Sequence, residues 1–390
     1  MRAAASLPTK SKIIPGRNKG PRIIDNGNLL QILLITFPFF ALVLAGYVAA
    51  RRRMLPLEAI PGLNGFVLYF ALPCMLYRFG STTPLAQLLD PALFVTYLFC
   101  ALVMVGFVVA ASLNRRIGWN DAAFGALVAA FPNTGFMGVP LLVALLGTAA
   151  AGPAIVTIVV DLVVTSSLCI ALSRLDLVAG AAVPSAPGGL PHIGPQHLAL
   201  TMTASPAALA AKNALKGVAA NPMPWAIVLG GVVSALQLQL PTPVVQTIGL
   251  LADAASPVAL FTIGAVLARS QMLTAAVFVT GSDQGGAVSA AHQPVQVRLP
   301  LRDYVPVAVV KLLVHPLLVL LVGGTAIHLG LPIDRFALTV IVLVAALPSA
   351  SNVSLLAEKF GANNGRIARI ILVSTALAFF TFSGAVALLT

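Results

Sequence analysis

An apolar run from Trp119 to Gly147 is long enough to cross a bilayer, yet residues that break a helix lie in its middle. Pro132 removes one backbone hydrogen bond, and its ring clashes with the preceding helical turn. Asn133, Thr134 and Gly135 follow at once and add two side chains that compete for backbone hydrogen bonds and a flexible hinge. Backbone groups freed inside lipid are tolerated only where protein, water or a ligand satisfies them. The pattern therefore predicts a helix interrupted at mid-membrane.

A second interruption, at residues 346–352, lies in another apolar run near the C-terminal end. Single prolines in membrane helices are often ordinary kinks that neighbouring helices hold. Two interrupted spans at corresponding places in two halves instead favour a transporter's binding site. Each break exposes the N-terminus of a half-helix, whose partial positive charge favours an anion. The residues predicted to form this site are Pro132, Asn133, Thr134, Gly135, Pro348, Ser349, Ser351 and Asn352.

Composition places the whole chain in the membrane. Hydrophobic residues make up 59% of it and charged residues only 9%, against about 25% charged residues in soluble proteins. The apolar runs are continuous rather than alternating, which excludes a porin-like barrel and predicts an all-α polytopic protein. Ten transmembrane helices are predicted, at about 29–50, 57–79, 92–113, 119–147, 152–173, 222–239, 243–268, 304–328, 333–360 and 366–389.

The ten spans fall into two halves of five. The predicted divisions are a basic N-terminal tail 1–28, a first five-helix repeat 29–173, a linker loop 174–221 and a second five-helix repeat 222–390 with a polar insertion 270–303. Residues 66–76 of the second span parallel residues 250–260 of the seventh. Because each repeat has an odd number of spans, the second enters the membrane from the opposite side, which predicts an inverted repeat.

Basic residues cluster at span ends, so the net charge of +12 indicates topology rather than nucleic-acid binding. With the N-terminus outside, fourteen basic residues lie in inner loops: Arg51, Arg52, Arg53, Arg115, Arg116, Arg174, Lys212, Lys216, Arg269, Arg298, Arg302, Lys359, Arg366 and Arg369. The outer side then carries Arg78, Arg335 and the six basic residues of the tail. We therefore expect both termini outside the cytoplasm; a later start codon would remove the conflict that the tail poses.

Four ionisable residues fall inside predicted spans: Asp161, Asp253, Lys311 and His315. A charge at a helix centre costs about 2.5–3.5 kcal/mol on insertion scales, so each is a functional candidate. Asp253 is preferred to Asp161 for ion coupling because it lies four residues before Pro257, within the repeat. Lys311 is consistent with two roles, attracting an anion or neutralising an aspartate. For His315 a packed, neutral imidazole is the favoured interpretation.

Residues 131–141, with the sequence FPNTGFMGVPL, resemble the fourth-span motif of the auxin efflux carrier (AEC) family, which includes plant PIN carriers and bacterial malonate-type transporters. Supporting matches are Leu44-Ala45-Gly46-Tyr47, Ala71-Leu72-Pro73, Asn221-Pro222, Ala346-Leu347-Pro348-Ser349 and Glu358-Lys359-Phe360-Gly361. The resemblance implies ten spans in two inverted halves, with the fourth and ninth helices crossing at their prolines. It also implies secondary transport of organic anions at that crossing. The short 174–221 segment fits a bacterial member.

The sequence thus predicts a secondary active carrier of small organic anions. Mono- or dicarboxylates are the favoured substrates, because Phe131 and Phe136 are the only large aromatic residues at the breaks. A passive channel, a membrane receptor and a structural subunit are the alternatives. Coupling to a proton is preferred, with sodium as the other option. Enzymatic motifs, a cofactor and a metal site are not predicted. The expected surroundings are the lipid bilayer of a bacterial inner membrane, without nucleic acid and with a homodimer left open.

Overall fold

The computed structural model describes residues 29–82, 90–175, 222–280 and 299–390. The predicted tail 1–28, most of the linker loop and much of the polar insertion lie outside the described residues. Helices dominate the described chain, as predicted. They are α1 (Leu29–Arg51), α2 (Ala59–Thr82), α3 (Pro91–Ser112), α4 (Trp119–Ala130), α5 (Thr134–Leu146), α6 (Thr148–Leu172), α7 (Pro222–Ala235), α8 (Thr242–Thr280), α9 (Val305–His328), α10 (Arg335–Ala346), α11 (Asn352–Lys359) and α12 (Asn364–Leu389).

Seven of the described helices are long and apolar enough to cross a membrane: α1, α2, α3, α6, the Thr242–Arg269 part of α8, α9 and α12. This is the organisation of a polytopic membrane protein. The predicted fourth span consists of α4 and α5, and the ninth consists of α10 and α11. The count of ten spans therefore stays a prediction. The largest difference in a boundary is at α8, which continues to Thr280 and so extends into the predicted insertion; α7 ends at Ala235, four residues before the predicted end of the sixth span.

Glycines set the closest helix contacts. A Cβ atom on Gly46 of α1 would clash with the backbone oxygen of Phe261 in α8, and one on Gly264 of α8 would clash with that of Val43 in α1. Small residues let membrane helices approach closely enough for backbones to touch, which replaces the hydrophobic driving force that lipid does not supply. Helices α2 and α7 pack the same way, since a Cβ atom on Gly80 would lie 2.7 Å from the Ile227 oxygen.

The interrupted helices lie at the centre of the fold. Every residue from Ala122 to Ala130 in α4 is buried, as is every residue from Val340 to Ala346 in α10. A helix that is apolar and buried all round belongs in the interior of a bundle. Both helices contact α12, and α3 packs against α4 and α10. The broken backbone that follows each of them is therefore surrounded by protein rather than by lipid.

Candidate functional site

The two breaks meet and pair through their backbones. The Asn133 N–H donates to the carbonyl oxygen of Pro348 at 2.8 Å, and the Ala350 N–H donates to the carbonyl oxygen of Phe131 at 3.0 Å. Pro132 and Ser349 face each other in a short antiparallel pairing. Each break thus satisfies backbone groups that the other has freed, which is what an interrupted helix at membrane depth requires. We call this region the junction; it comprises residues 131–136 and 347–352.

Several buried polar side-chain atoms at the junction have no hydrogen-bond partner within the protein. They are Asn133 Oδ1, Thr134 Oγ1, Ser349 Oγ and Asn352 Oδ1. Thr134 and Ser349 are at most 1% exposed. Leaving one buried polar group unpaired costs about 1–3 kcal/mol, so native proteins keep such groups few. Four of them in one place indicate a site for a polar ligand.

Backbone donors face the same region. Helix α5 begins at Thr134 and α11 begins at Asn352, so both present their N-terminal ends at the junction. Among the described residues, no acceptor pairs with the N–H groups of Gly135, Phe136 or Ser351. Helix N-termini carry roughly half a positive charge and bind anions through such free N–H groups. The junction therefore has the electrostatic character of an anion site.

Two glycines at the first break differ in their roles. A Cβ atom on Gly138 would lie 2.5 Å from Leu347 Cδ1, so this glycine allows α5 to approach the end of α10. At the predicted hinge Gly135, the nearest atom to an added Cβ would be Leu72 Cδ2 at 3.9 Å, which is ordinary contact distance. Close packing at the junction thus depends on Gly138, a residue that the sequence-based site prediction did not include.

Asp161 is fully buried beside the junction helices. It opens a wide turn of α6, Asp161–Thr165. The Tyr97 hydroxyl donates to Asp161 Oδ2 at 3.1 Å, and the Thr165 hydroxyl donates to Oδ1, also at 3.1 Å. Hydrogen bonds to both oxygens offset part of the cost of burying a carboxylate. Tyr97, in α3, was missed at the sequence level, where a hydroxyl in the middle of a long apolar run was the only signal.

Lys311 is also fully buried, in a wide turn of α9, Val310–Val314. Its Nζ donates to the carbonyl oxygen of Ala345 at 2.9 Å, in the last turn of α10. The C-terminal end of a helix carries partial negative charge, so the ammonium group stabilises α10 directly before the second break. The Lys311 side chain therefore links the junction to the interior of the bundle.

His315 completes this group. Its Nδ1 lies 3.0 Å from Lys311 Nζ, and when Lys311 carries an ammonium group, that group donates and the imidazole Nδ1 accepts. The His315 and Tyr97 ring centroids are 6.1 Å apart. Tyr97, Asp161, Thr165, Lys311 and His315 form what we call the polar cluster. Among the described residues, no ion pair within 4 Å joins Asp161 to Lys311.

Asp253, which was preferred to Asp161 for ion coupling, lies at the surface of the helix bundle. Its side chain is 69% exposed on the surface of α8, and Arg78 Nη1 lies 2.6 Å from its Oδ1. Asp253 was preferred for its position four residues before Pro257 within the repeat, and that position does not bury its side chain. Ala252 and Ala255 occupy the buried face of α8, and nearness to Pro257 does not decide which face residue 253 takes. The roles of Asp253, Asp161 and Lys311 in ion coupling stay predictions.

Comparison with known proteins gives two relatives and one family. The family model described as "Membrane transport protein" matches residues 32–386. The Rhizobium meliloti (strain 1021) protein named "Putative malonate transporter" is 28% identical over 358 residues, which cover 91% of this chain and 95% of that protein. The Arabidopsis thaliana protein named "Auxin efflux carrier component 8" is 24% identical over 283 residues, which cover 64% of this chain and 75% of that protein. The family match includes the junction and the polar cluster.

Proposed function

We propose that this chain, which belongs to the membrane transport protein family, is a secondary active carrier that moves small organic anions across the membrane by alternating access. The observation that carries the proposal is the junction, where four unpaired side-chain atoms and two helix N-termini converge. Hydroxyl groups of Thr134 and Ser349 can donate to a carboxylate. The amide groups of Asn133 and Asn352 can turn to present nitrogen instead of oxygen, since the two orientations differ only in hydrogen bonding.

A small aliphatic carboxylate is the substrate class that we favour. The name of the Rhizobium meliloti relative refers to malonate, a dicarboxylate. At the junction the aromatic side chains are those of Phe131 and Phe136, both largely buried, so little aromatic surface is open to stack on a bulky ring. Free N–H groups and hydroxyls suit a compact anion with several acceptor oxygens.

The helix packing supports ten spans in two inverted repeats. In an inverted repeat the first span (α1) corresponds to the sixth (α7), and the second span (α2) corresponds to the seventh (α8). The α1–α8 pair therefore corresponds to the α7–α2 pair. Both pairs are packed at glycines: Gly46 with Gly264 in one and Gly80 with Gly230 in the other. The same correspondence relates the break after α4 to the break after α10. We further propose the predicted orientation, in a bacterial inner membrane with both termini outside the cytoplasm and 174–221 inside.

For coupling we propose a proton carried by Asp161 in place of Asp253. A buried group that gains or loses charge changes its cost of burial, so protonation can bias one conformation over another. Lys311 is close enough to interact electrostatically with Asp161 and also holds the end of α10, which would connect proton binding to the junction. The titratable groups that interact with this carboxylate are Tyr97 on α3, Cys169 on α6 and Lys311 on α9; Cys100 interacts with Tyr97, and His315 lies beside Lys311. Sodium coupling is the competing possibility.

Counterflow in proteoliposomes tests the carrier proposal. Liposomes that hold the purified protein and are loaded with unlabelled malonate should accumulate external labelled malonate above equilibrium, because a carrier exchanges substrate across the membrane. Other mono- and dicarboxylates are then tested as competitors. Entry that reaches equilibrium without overshoot would identify a channel. No binding and no movement of any carboxylate would favour a receptor or a structural subunit.

A further inference from the structure

A cavity lies at one membrane edge, away from the junction. Its volume is about 110 Å³, well above the ~10–15 Å³ that one water requires. The end of α3, the start of α9 and the start of α12 enclose it. None of its lining residues belongs to the junction or to the polar cluster. Its lining includes Phe107, Ala111, Arg302, Asp303, Pro306 and Arg366.

Arg366 gives the cavity a buried positive charge. The residue is 2% exposed; its Nε donates to the backbone oxygen of Asp303 and its Nη1 to that of Asp121, both at 2.8 Å. No ion pair within 4 Å neutralises it among the described residues. Carbonyl oxygens satisfy hydrogen-bond donors without cancelling a full charge. The carboxylates of Asp121 and Asp303 interact with Arg366 from beyond ion-pair distance and offset part of the cost of burying its charge, and an anion in this cavity would offset more of it.

Arg302 adds a second cation at the open side of the cavity. Its side chain is 66% exposed, and its Nε is 3.9 Å from Asp303 Oδ1. The lining holds two arginines and one aspartate, and Asp121, which is not among the lining residues, also interacts with Arg366. Guanidinium groups match phosphate oxygens in a two-pronged geometry, which a lysine cannot do.

Apart from Ser112 and Asn114, the other walls of the cavity are apolar, and they continue onto the outer surface of the bundle. Phe107 of α3 is 49% exposed and Val309 of α9 is 39% exposed. The polar end lies where Arg302 precedes α9 and where α12 begins, which is headgroup depth for spans of these lengths. A molecule with a phosphate group and apolar tails matches this order of polar and apolar walls.

We propose that this cavity binds the phosphate group of a membrane phospholipid, with the acyl chains lying on α3 and α9. Basic pockets between membrane helices commonly hold anionic headgroups. The site is independent of the substrate junction, so the proposal does not rest on the proposed transport function.

The test uses the full-length protein purified in detergent and then titrated with phosphatidylglycerol. Native mass spectrometry counts bound lipid, and thermal unfolding reports the stabilisation. Arg302→Gln removes the exposed cation, and Ala111→Phe fills the space beside it. Arg366→Gln is avoided because Arg366 also ties α12 to the start of α4. The matched control is Arg116→Gln, an exposed arginine near the same edge that does not line the cavity.

We expect both cavity variants to weaken phosphatidylglycerol binding about fivefold or more, Arg302→Gln by losing a charge-assisted contact and Ala111→Phe by filling the site, while Arg116→Gln binds like the wild type. Equal binding by the wild type and both cavity variants would overturn the proposal, and so would an equal loss in Arg116→Gln. A separate arm replaces lipid with millimolar inorganic phosphate. Stabilisation by phosphate that lipid neither reproduces nor displaces would overturn the assignment to a lipid.

Discussion

The Asn133 N–H and the Pro348 carbonyl oxygen, 2.8 Å apart, join two segments that lie in different halves of the chain. Together with the reciprocal bond between Ala350 and Phe131, this contact uses backbone groups to hold the breaks against each other. The side chains of Asn133, Thr134 and Ser349 are consequently left without partners in the protein. Backbone hydrogen bonds thus hold the junction together, and its side chains are left to bind a ligand.

This division predicts how asparagine variants at the junction behave. Asn133→Ala and Asn352→Ala each remove a group that would pair with bound carboxylate, so each should weaken binding roughly 5- to 150-fold, equivalent to about 1–3 kcal/mol. Because the removed oxygen has no partner in the free protein, the unfolding temperature without ligand should be unchanged or slightly higher. Thermal unfolding with and without malonate measures both quantities.

Asn64→Ala in α2 is the matched control, an asparagine outside the junction. It should leave the malonate-induced rise in unfolding temperature unchanged. The junction would be the wrong site if Asn133→Ala and Asn352→Ala both kept the full rise, or if the ligand that binds proved to be a cation.

Variants of Asp161 and Asp253 should behave differently in an assay of uptake driven by a pH gradient. Asp161→Asn keeps the shape of the side chain but cannot release or take up a proton near neutral pH. Uptake driven by a pH gradient should therefore be lost, while counterflow exchange partly survives. Asp253→Asn alters an ion pair with Arg78 that lies outside the polar cluster and should leave gradient-driven uptake intact. Equal gradient-driven uptake by wild type and Asp161→Asn would assign coupling to sodium or to exchange alone.

Much of the junction could be predicted because its signals are local. Proline, asparagine and glycine inside an apolar run are incompatible with a continuous helix, whatever surrounds them. The family resemblance carried by residues 131–141 is confirmed by the family match and the two relatives. The all-helical membrane class followed from composition in the same direct way. None of these conclusions required knowledge of which residues meet in space.

Side-chain burial could not be predicted so readily. Helix α8 is apolar on nearly all sides, so its sequence does not indicate which face points inward. Asp253 therefore looked as buried as Asp161, although one is exposed and the other is fully enclosed. The contact between Lys311 and Ala345 depends on how α9 packs beside α10, a tertiary relationship with no local signal.

Lys311 should matter more for stability when Asp161 is charged. Lys311→Met leaves the Ala345 oxygen and His315 Nδ1 without a donor and removes the cation near a buried carboxylate, so we expect a loss of about 3 kcal/mol or more. Adding Asp161→Asn removes the uncompensated charge and should recover part of that loss. Unfolding temperatures of the two single variants and the double variant form a mutant cycle. Strict additivity would mean that the two side chains are not coupled.

The last prediction is about the α1–α8 contact and concerns only the stability of the protein. Gly264→Ala places a Cβ atom against the backbone oxygen of Val43, so the helices must separate, and we expect a loss of about 1–3 kcal/mol. Gly249→Ala is the matched control in the same helix, because nothing lies within 4 Å of its added Cβ. Alanine also favours helix over glycine by up to about 1 kcal/mol, so this variant should be neutral or stabilising. Thermal unfolding in detergent compares them, and equal unfolding temperatures would mean that α1 and α8 are not held together at this glycine.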